Sequence, residues 1–407
     1  MKAMKALVTN ADDWMSLAAI RSLGRHGVKV TAASHLNKSM GFHSKYCAQR
    51  AYYPDPKKAG NRVSDHLLKM VKKNGFDVFL PVGEDALIPV MKSRDRFSPH
   101  VKLPFPDFMT MDKADDKSKT FKEAVKAGLA IPKTLFMEDL SDVGKAVKKL
   151  EFPVVIKPYR GCGSRGHVVL NSPKNIEKIF RSTVSVHGPS MIQEYINGDK
   201  YSVSALFDGM HRPVRVCVHR VLKQFPLSGG PQILSETVHE PGIMEFGLKM
   251  LRHLKWYGLA HVEIVVDRKE GKPRMIEINP RVYGSVSLPI AAGVDYPWLL
   301  FRMAVGEEIK PDLSYRAGVR CRLLFPGCFR HLVRVMFGVQ NRGGFDCPSR
   351  MSTLADFFKF YGRDLHYFIL SKDDPMPGTF TVINYLYGMR LGKIKRFIFG
   401  GGIRRRA

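Results

Sequence analysis

Arg274-Met275-Ile276-Glu277-Ile278-Asn279-Pro280-Arg281 reads as a buried strand interrupted by charge. In extended chain, residues two apart share a face. The alternation therefore predicts Met275, Glu277 and Asn279 on one face, with Ile276 and Ile278 in the core opposite. Glu277 and Asn279 converge as hard oxygen donors, the ligand type magnesium takes between phosphates. Upstream, His261-Val262-Glu263-Ile264-Val265 predicts the partner strand, with Glu263 in an otherwise apolar run. A carboxylate buried in a strand is costly unless it is paired or metal-bound. A metal ion and a salt bridge to a neighbouring Lys or Arg both satisfy that condition, and both readings stay open here.

Further upstream, Val154-Val155-Ile156-Lys157-Pro158 is an apolar strand ending in a lysine. The loop after it, Gly161-Cys162-Gly163-Ser164-Arg165-Gly166, matches the dinucleotide fingerprint G-x-G-x-x-G. That fingerprint requires a helix next, whose N-terminus holds the pyrophosphate. His167-Val168-Val169-Leu170 instead predicts a strand, so the segment reads as a glycine hairpin whose bare N–H groups can close over phosphates. No Gly-Lys-Ser/Thr follows, which excludes a Walker A loop. Beside such a flap, the Lys157 ammonium is a point charge for phosphate.

Residues 1 to about 110 alternate apolar strands (Ala6–Thr9, Val28–Ala32, Asp77–Pro81) with helical spacing (Ser16–Leu23, Val63–Lys72), which predicts a parallel sheet with crossover helices. The first turn, Asn10-Ala11-Asp12-Asp13-Trp14, lacks glycine and so is no dinucleotide site. Pro99–Pro106 reads as a linker, and Asp142–Leu150 as a helix. Later runs predict strands at Tyr201–Phe207, Val214–Leu222, His261–Asp267 and Pro273–Asn279, with a helix near Glu245–Leu254.

Taken together, these pieces resemble the ATP-grasp superfamily over roughly residues 1 to 310. Six motifs run in the family's order: Asp116-Lys117, Phe152 to Pro158, the glycine flap, Gln193-Glu194-Tyr195-Ile196-Asn197-Gly198, Val262-Glu263, and Glu277 to Arg281 with Gly284-Ser285. The resemblance implies an α/β and α+β chain. Its parts are a Rossmann-like domain (1–112), a two-lobed ATP-grasp domain (113–310, lobes about 113–188 and 189–310) and a basic, aromatic C-terminal region (311–407). It also implies roles. Lys117 and Lys157 contact ATP phosphates under the flap of Gly161, Gly163, Ser164 and Gly166. Glu194, Tyr195 and Ile196 border the adenine, with Met275 beneath the ring. Glu263, Glu277 and Asn279 hold one or two Mg2+, with Mn2+ as a substitute. Arg281, with Lys157 a catalytic candidate, steadies the transferred phosphoryl group or the carboxylate that receives it. Lys223 lies on a closing segment with Ser228 to Pro231. The sequence departs from the family where a ribose-gripping glutamate is common: Lys200 stands there, leaving Asp199 for the ribose.

The implied reaction phosphorylates a carboxylate to an acylphosphate and joins it to an amine, with small-molecule or envelope-precursor substrates. Bicarbonate phosphorylation, as in carbamoyl-phosphate synthase and biotin carboxylase, is the close alternative. Charge alone raises another: 65 Lys+Arg against 37 Asp+Glu give +28 and a pI near 9.9, a field that attracts polyanions. A nucleic-acid-binding protein should carry a basic–aromatic module such as an RNP motif, and none is evident. Residues 312–407 hold 17 Lys+Arg and 6 Asp+Glu, interleaved with aromatics at Tyr385–Arg406, a mixture suited to peripheral contact with an anionic membrane. Scattered cysteines without a Cys-x-x-Cys pair, and no apolar run of spanning length, predict a reduced cytoplasmic protein, peripheral at most to a membrane. A homodimer is compatible with all of this.

Overall fold

The computed structural model describes residues 3–60, 62–137, 143–144, 149–161, 163–227, 229–337 and 348–388. Most of the expected helix at 142–150, Cys162, Ser228 and the basic stretch 390–406 lie outside them. Three sheets organise the described residues.

The first is parallel, in the order β3-β2-β1-β4, from β1 (Lys5–Val8), β2 (Lys29–Ser34), β3 (Cys47–Tyr52) and β4 (Val78–Leu80). On the inner strand β1 the residues after Lys5, namely Ala6, Leu7 and Val8, are apolar and wholly buried, as cover on both faces demands. The glycine-free turn after β1 is held by side chains instead. Asn10 takes φ 56° and spans to Asp85 (2.9 Å), and Asp13 caps the helix Trp14–Arg25 by accepting from Met15 N–H. Pro99–Pro106 is no exposed linker: Val101, Leu103 and Phe105 are buried in the core with Phe79 and Phe97.

The second sheet, order β5-β8-β6-β7, comprises β5 (Thr134–Phe136), β6 (Val154–Pro158), β7 (Val168–Leu170) and β8 (Ser190–Glu194). The β6–β7 pair is antiparallel, so the glycine loop joins two strands as predicted and opens no helix. The third sheet has seven strands, β13-β12-β9-β10-β11-β14-β15. They are β9 (Gly198–Phe207), β10 (Pro213–Gln224), β11 (Gln232–Thr237), β12 (Gly258–Asp267), β13 (Pro273–Asn279), β14 (Arg320–Arg322) and β15 (Leu365–Tyr367). β14 and β15 belong to the C-terminal hundred residues, so the main sheet continues across the boundary expected at 310.

One face of this sheet packs through Val203, Val218, Val262 and Ile278 against Leu248, Leu251 and Trp256. The other meets the first domain through Leu206, Leu259, Tyr283 and Tyr296. The C-terminal segment is tied to the first domain by a buried ion pair, Arg21 Nε to Asp374 Oδ2 at 2.9 Å. Asp374 also accepts from Ser44 Oγ and Lys45 N–H. Among the described residues, no helix is long and apolar enough to cross a membrane.

Removing one partner of a buried pair strands a charge, typically at about 3–5 kcal/mol. Asp374→Ala should therefore lower the free energy of unfolding by roughly that much in a urea titration; an unchanged midpoint would show the pair to be structurally idle.

Candidate active site

The site forms where β12 and β13 pair. Their register sets Glu263 directly opposite Glu277, and His261 opposite Asn279, so both carboxylates share one face. Two opposed carboxylates repel unless cations surround them. Lys117 supplies the first, with its Nζ 2.9 Å from Glu277 Oε2 and 3.0 Å from the Gly161 carbonyl. Local sequence places it there. Asp116 ends the helix Phe108–Asp115 and caps the helix Lys117–Lys126 by accepting from the Ser118 and Lys119 N–H groups, so Lys117 opens that helix and is nearly inaccessible. Lys157 leaves β6 on the face opposite Val154 and Ile156, and its ammonium lies 5.1 Å from the centre of the Phe121 ring.

The electrostatics of the group are mutual. Burial pushes Glu277 upward, but Lys117, through charge and hydrogen bond, and Lys157 outweigh it and hold the carboxyl below its usual range. Glu263 is raised by burial and by Glu277. Burial and the neighbouring Lys117 depress Lys157 to about 7, whereas Lys117 itself is raised because Glu277 and Glu84 outweigh its burial. His167, at the foot of the flap, is driven to about 3 by burial and then by Lys157 and Lys117, so it is neutral.

The flap is a hairpin loop with positive φ at Gly161, Gly163, Ser164 and Gly166. Gly166 also lies so close to Pro158 and His187 that a Cβ would sit within 2.9 Å of both. Arg160 anchors the start of the loop, bonding Asp112 at 2.7 Å and Asp115 at 2.8 Å. Beside the site a cleft of about 850 Å³ is lined by Glu194, Tyr195, Ile196, Asp199, Lys200 and Lys223 among others, large enough for a ligand of nucleotide size. Glu194 N–H is taken by Lys133 O, and its carboxylate by Lys133 N–H. Asp199 pairs with Arg268 at 3.1 Å at the surface. Lys200, which shares its strand face with Ser202, donates to Gln224 at 2.7 Å; burial depresses it against the pull of Glu263 and Glu277. Lys223 pairs with Asp356 of the C-terminal segment at 2.9 Å.

Met275 is the expectation the structure overturns. A bulge at Ile276 pairs Met275 with Ile264, so simple alternation fails one residue before Glu277. Met275 is wholly buried in the core with Ile264 and Ile278, and the half-exposed Ile276 is the residue left unpaired.

Three residues escaped the sequence reading. Glu84 holds Arg281, with its Oε1 2.8 Å from Nη2 and 3.2 Å from Nε, across the boundary between the first domain and the main sheet. It stands just past the carboxyl end of parallel strand β4, where α/β sheets place ligand contacts, and that position was a usable signal. His167 and His261 gave none, being single histidines in strand-like runs.

Among the described residues no three His, Cys, Asp or Glu side chains cluster as a complete metal cage. Two carboxylates and an amide oxygen nevertheless suit magnesium, which keeps few protein ligands and completes its shell with phosphate and water.

A family model described as an ATP-grasp domain matches residues 114–285. Among curated proteins, the arginine-specific carbamoyl phosphate synthase large chain of Bacillus subtilis is 20% identical over 67% of this chain and 27% of its own length. The carbamoyl phosphate synthase large chain of Caldanaerobacter subterraneus is 27% identical over 54% of this chain and 21% of its own. The chain thus spans about a quarter of such relatives. Among solved structures, a biotin carboxylase–β-γ-ATP complex from Campylobacter jejuni superposes with a TM-score of 0.66 at 17% identity, covering 78% of this chain and 74% of that one. An L-amino acid ligase from Bacillus licheniformis gives 0.60 at 20% identity, covering 76% and 78%. At such identities the superpositions speak for the fold alone, and the matched model assigns residues 114–285 to the ATP-grasp superfamily.

Proposed function

We propose that this chain is an ATP- and magnesium-dependent carbon–nitrogen ligase that activates a carboxylate as an acylphosphate and passes it to an amine. The observation that carries the reading is the facing of Glu263 and Glu277, with Lys117 and Lys157 beside them and a glycine hairpin at hand.

In this reading ATP lies in the cleft, its adenine against Glu194, Tyr195 and Ile196. Ile276 takes the apolar surface first expected of Met275. Asp199 reaches the ribose, and Lys200 adds positive charge on the face of Glu263. Lys223 closes the outer side. Lys117 and Lys157 fix the phosphates, and Gly161 to Gly166 folds over them to exclude water, which would hydrolyse an acylphosphate. Magnesium held by Glu263, Glu277 and Asn279 supplies charge neutralisation for the moving phosphoryl group. A carboxylate oxygen attacks the γ-phosphorus, the bond to the β–γ bridging oxygen breaks and ADP leaves. The amine nitrogen then attacks the acyl carbon and loses its proton as phosphate departs. Arg281, oriented by Glu84, steadies the anion in both steps.

The likeness to carbamoyl phosphate synthases and a biotin carboxylase favours a second reading in which the carboxylate is bicarbonate. A screen of ADP release with carboxylate–amine pairs, and with bicarbonate alone, separates the two: the ligase reading requires release that needs both partners, and bicarbonate-driven release without an organic acid would replace it.

Removing one preorganised charge at such a centre costs about 10²–10³ in rate. Glu277→Ala should therefore abolish ATP turnover while leaving circular dichroism unchanged, and undiminished ADP release would defeat the site assignment. Lys157 makes a second, pH-linked test. Near its depressed value of about 7 it is half protonated in the free protein, and at higher pH it must take up a proton to meet phosphate. ADP affinity should fall as pH rises from 7 to 9, by up to about tenfold per unit, with proton uptake measurable calorimetrically in buffers of different ionisation enthalpy. A pH-independent affinity over that range would exclude Lys157 as a phosphate contact.

A further inference from the structure

In the short strand β14, Cys321 joins the core with Ile233, and alternation turns Arg320 and Arg322 to the other face. The register sets Arg320 against Glu236 and Arg322 against Leu234. That face borders a cavity of about 570 Å³, a volume within the range of small-molecule sites. β10 contributes Leu222 and Lys223 to its wall, and the helix Arg350–Phe358 contributes Asp356 and Phe357. Leu222, Lys223 and His331 also line the nucleotide-sized cleft, so the two spaces share a wall.

Positive charge exceeds its counter-charge at three places around this cavity. Lys223 and Lys359 share the single carboxylate of Asp356, at 2.9 and 3.2 Å. Arg220 and Arg320 share that of Glu236, at 3.6 and 2.7 Å. Arg322 is buried and pairs with no carboxylate among the described residues. Its Nη atoms donate to the Lys359 and Phe357 carbonyls at 3.0 and 3.2 Å, at the end of the helix, which offers only about half a negative charge. Arg363 and Asp364 also line the cavity and offset one another. His331 and Cys328 are neutral: burial and then Lys223 drive the first to about 4, and burial pushes the second up. Positive charge that outnumbers its partners in a concave site attracts anions. Leu222, Leu234, Leu365, Phe357 and Tyr361 supply apolar wall between the charges, so the fitting ligand has an apolar body as well.

We propose that this cavity binds a small organic anion, an apolar or aromatic body carrying a phosphate or carboxylate, beside the nucleotide cleft and separate from it. The ligand's anionic group competes with Asp356 for Lys223 and Lys359. The proposal goes beyond the ligase reading and needs neither the reaction nor magnesium.

2-Naphthyl phosphate and 2-naphthoate probe the two anionic groups. Calorimetric titration in about 0.15 M salt, where diffuse attraction to a basic surface is largely screened, should show one site per chain for at least one of them. Saturating ADP should leave that site open. Asp356→Asn removes the competing carboxylate and should tighten the probe about three- to fivefold, a gain that a misfolded variant cannot produce. Arg320→Gln combined with Lys359→Gln, both exposed, leaves each carboxylate with one partner and should weaken the probe about tenfold. Binding of one probe alone supports the proposal and identifies the anionic group. Binding of neither, loss of binding on adding ADP, equal affinity for inorganic phosphate or for 2-naphthylmethylamine, or indifference to both variants overturns it.

Discussion

Glu263 faces Glu277 across an antiparallel pair, and most of the architecture around the site answers that constraint. Like charges at directly opposed positions destabilise a sheet, and burial raises the penalty. Lys117 meets it with an ion pair to Glu277 at 2.9 Å, while Lys157 and Lys200 place further buried positive charge in the same field. The consequence is visible on both sides. Glu277 is held ionised and Glu263 is raised, so the pair stores an affinity for added positive charge at one carboxylate. Lys157 is depressed by burial and by its cationic neighbour Lys117, and so stores a complementary affinity for anions. A magnesium–phosphate ligand brings both charges at once.

The sequence was legible where chemistry and strand period coincide. Pro273–Asn279 was found with its bounds, because Glu277 and Asn279 interrupt an apolar run at spacing two. The hairpin reading of Gly161–Gly166 followed from the strand-like residues after it, and the β6–β7 pair bears that out. What alternation cannot reveal is a bulge, since one extra residue leaves no compositional mark. Met275 was therefore placed on the wrong face, although its neighbours Glu277 and Asn279 were placed correctly. Short strands joined by long connections were equally hidden: Arg320–Arg322 and Leu365–Tyr367 are three residues each, too short to show a period, and they owe their strand geometry to pairing, β14 on the edge of β11 and β15 on β14.

Arg281 shows why a site can depend on a domain that contributes no ligand. The side chain is buried, and a guanidinium in that position needs both a counter-charge and a fixed plane. Glu84 provides both through one oxygen shared between Nε and Nη2. Trp14 braces the same segment two residues beyond Tyr283's neighbour Val282, donating its indole N–H to Gly284 O at 2.8 Å. Glu84 and Trp14 each lie in or beside the first turn of a helix that follows a strand of the parallel sheet, so the first domain presents the carboxyl ends of β1 and β4 to the loop after β13. That geometry accounts for the absence of glycine after β1. The turn carries Asp13 as a helix cap and Trp14 as a strut, and in doing so braces the loop after β13 where the phosphate site is proposed.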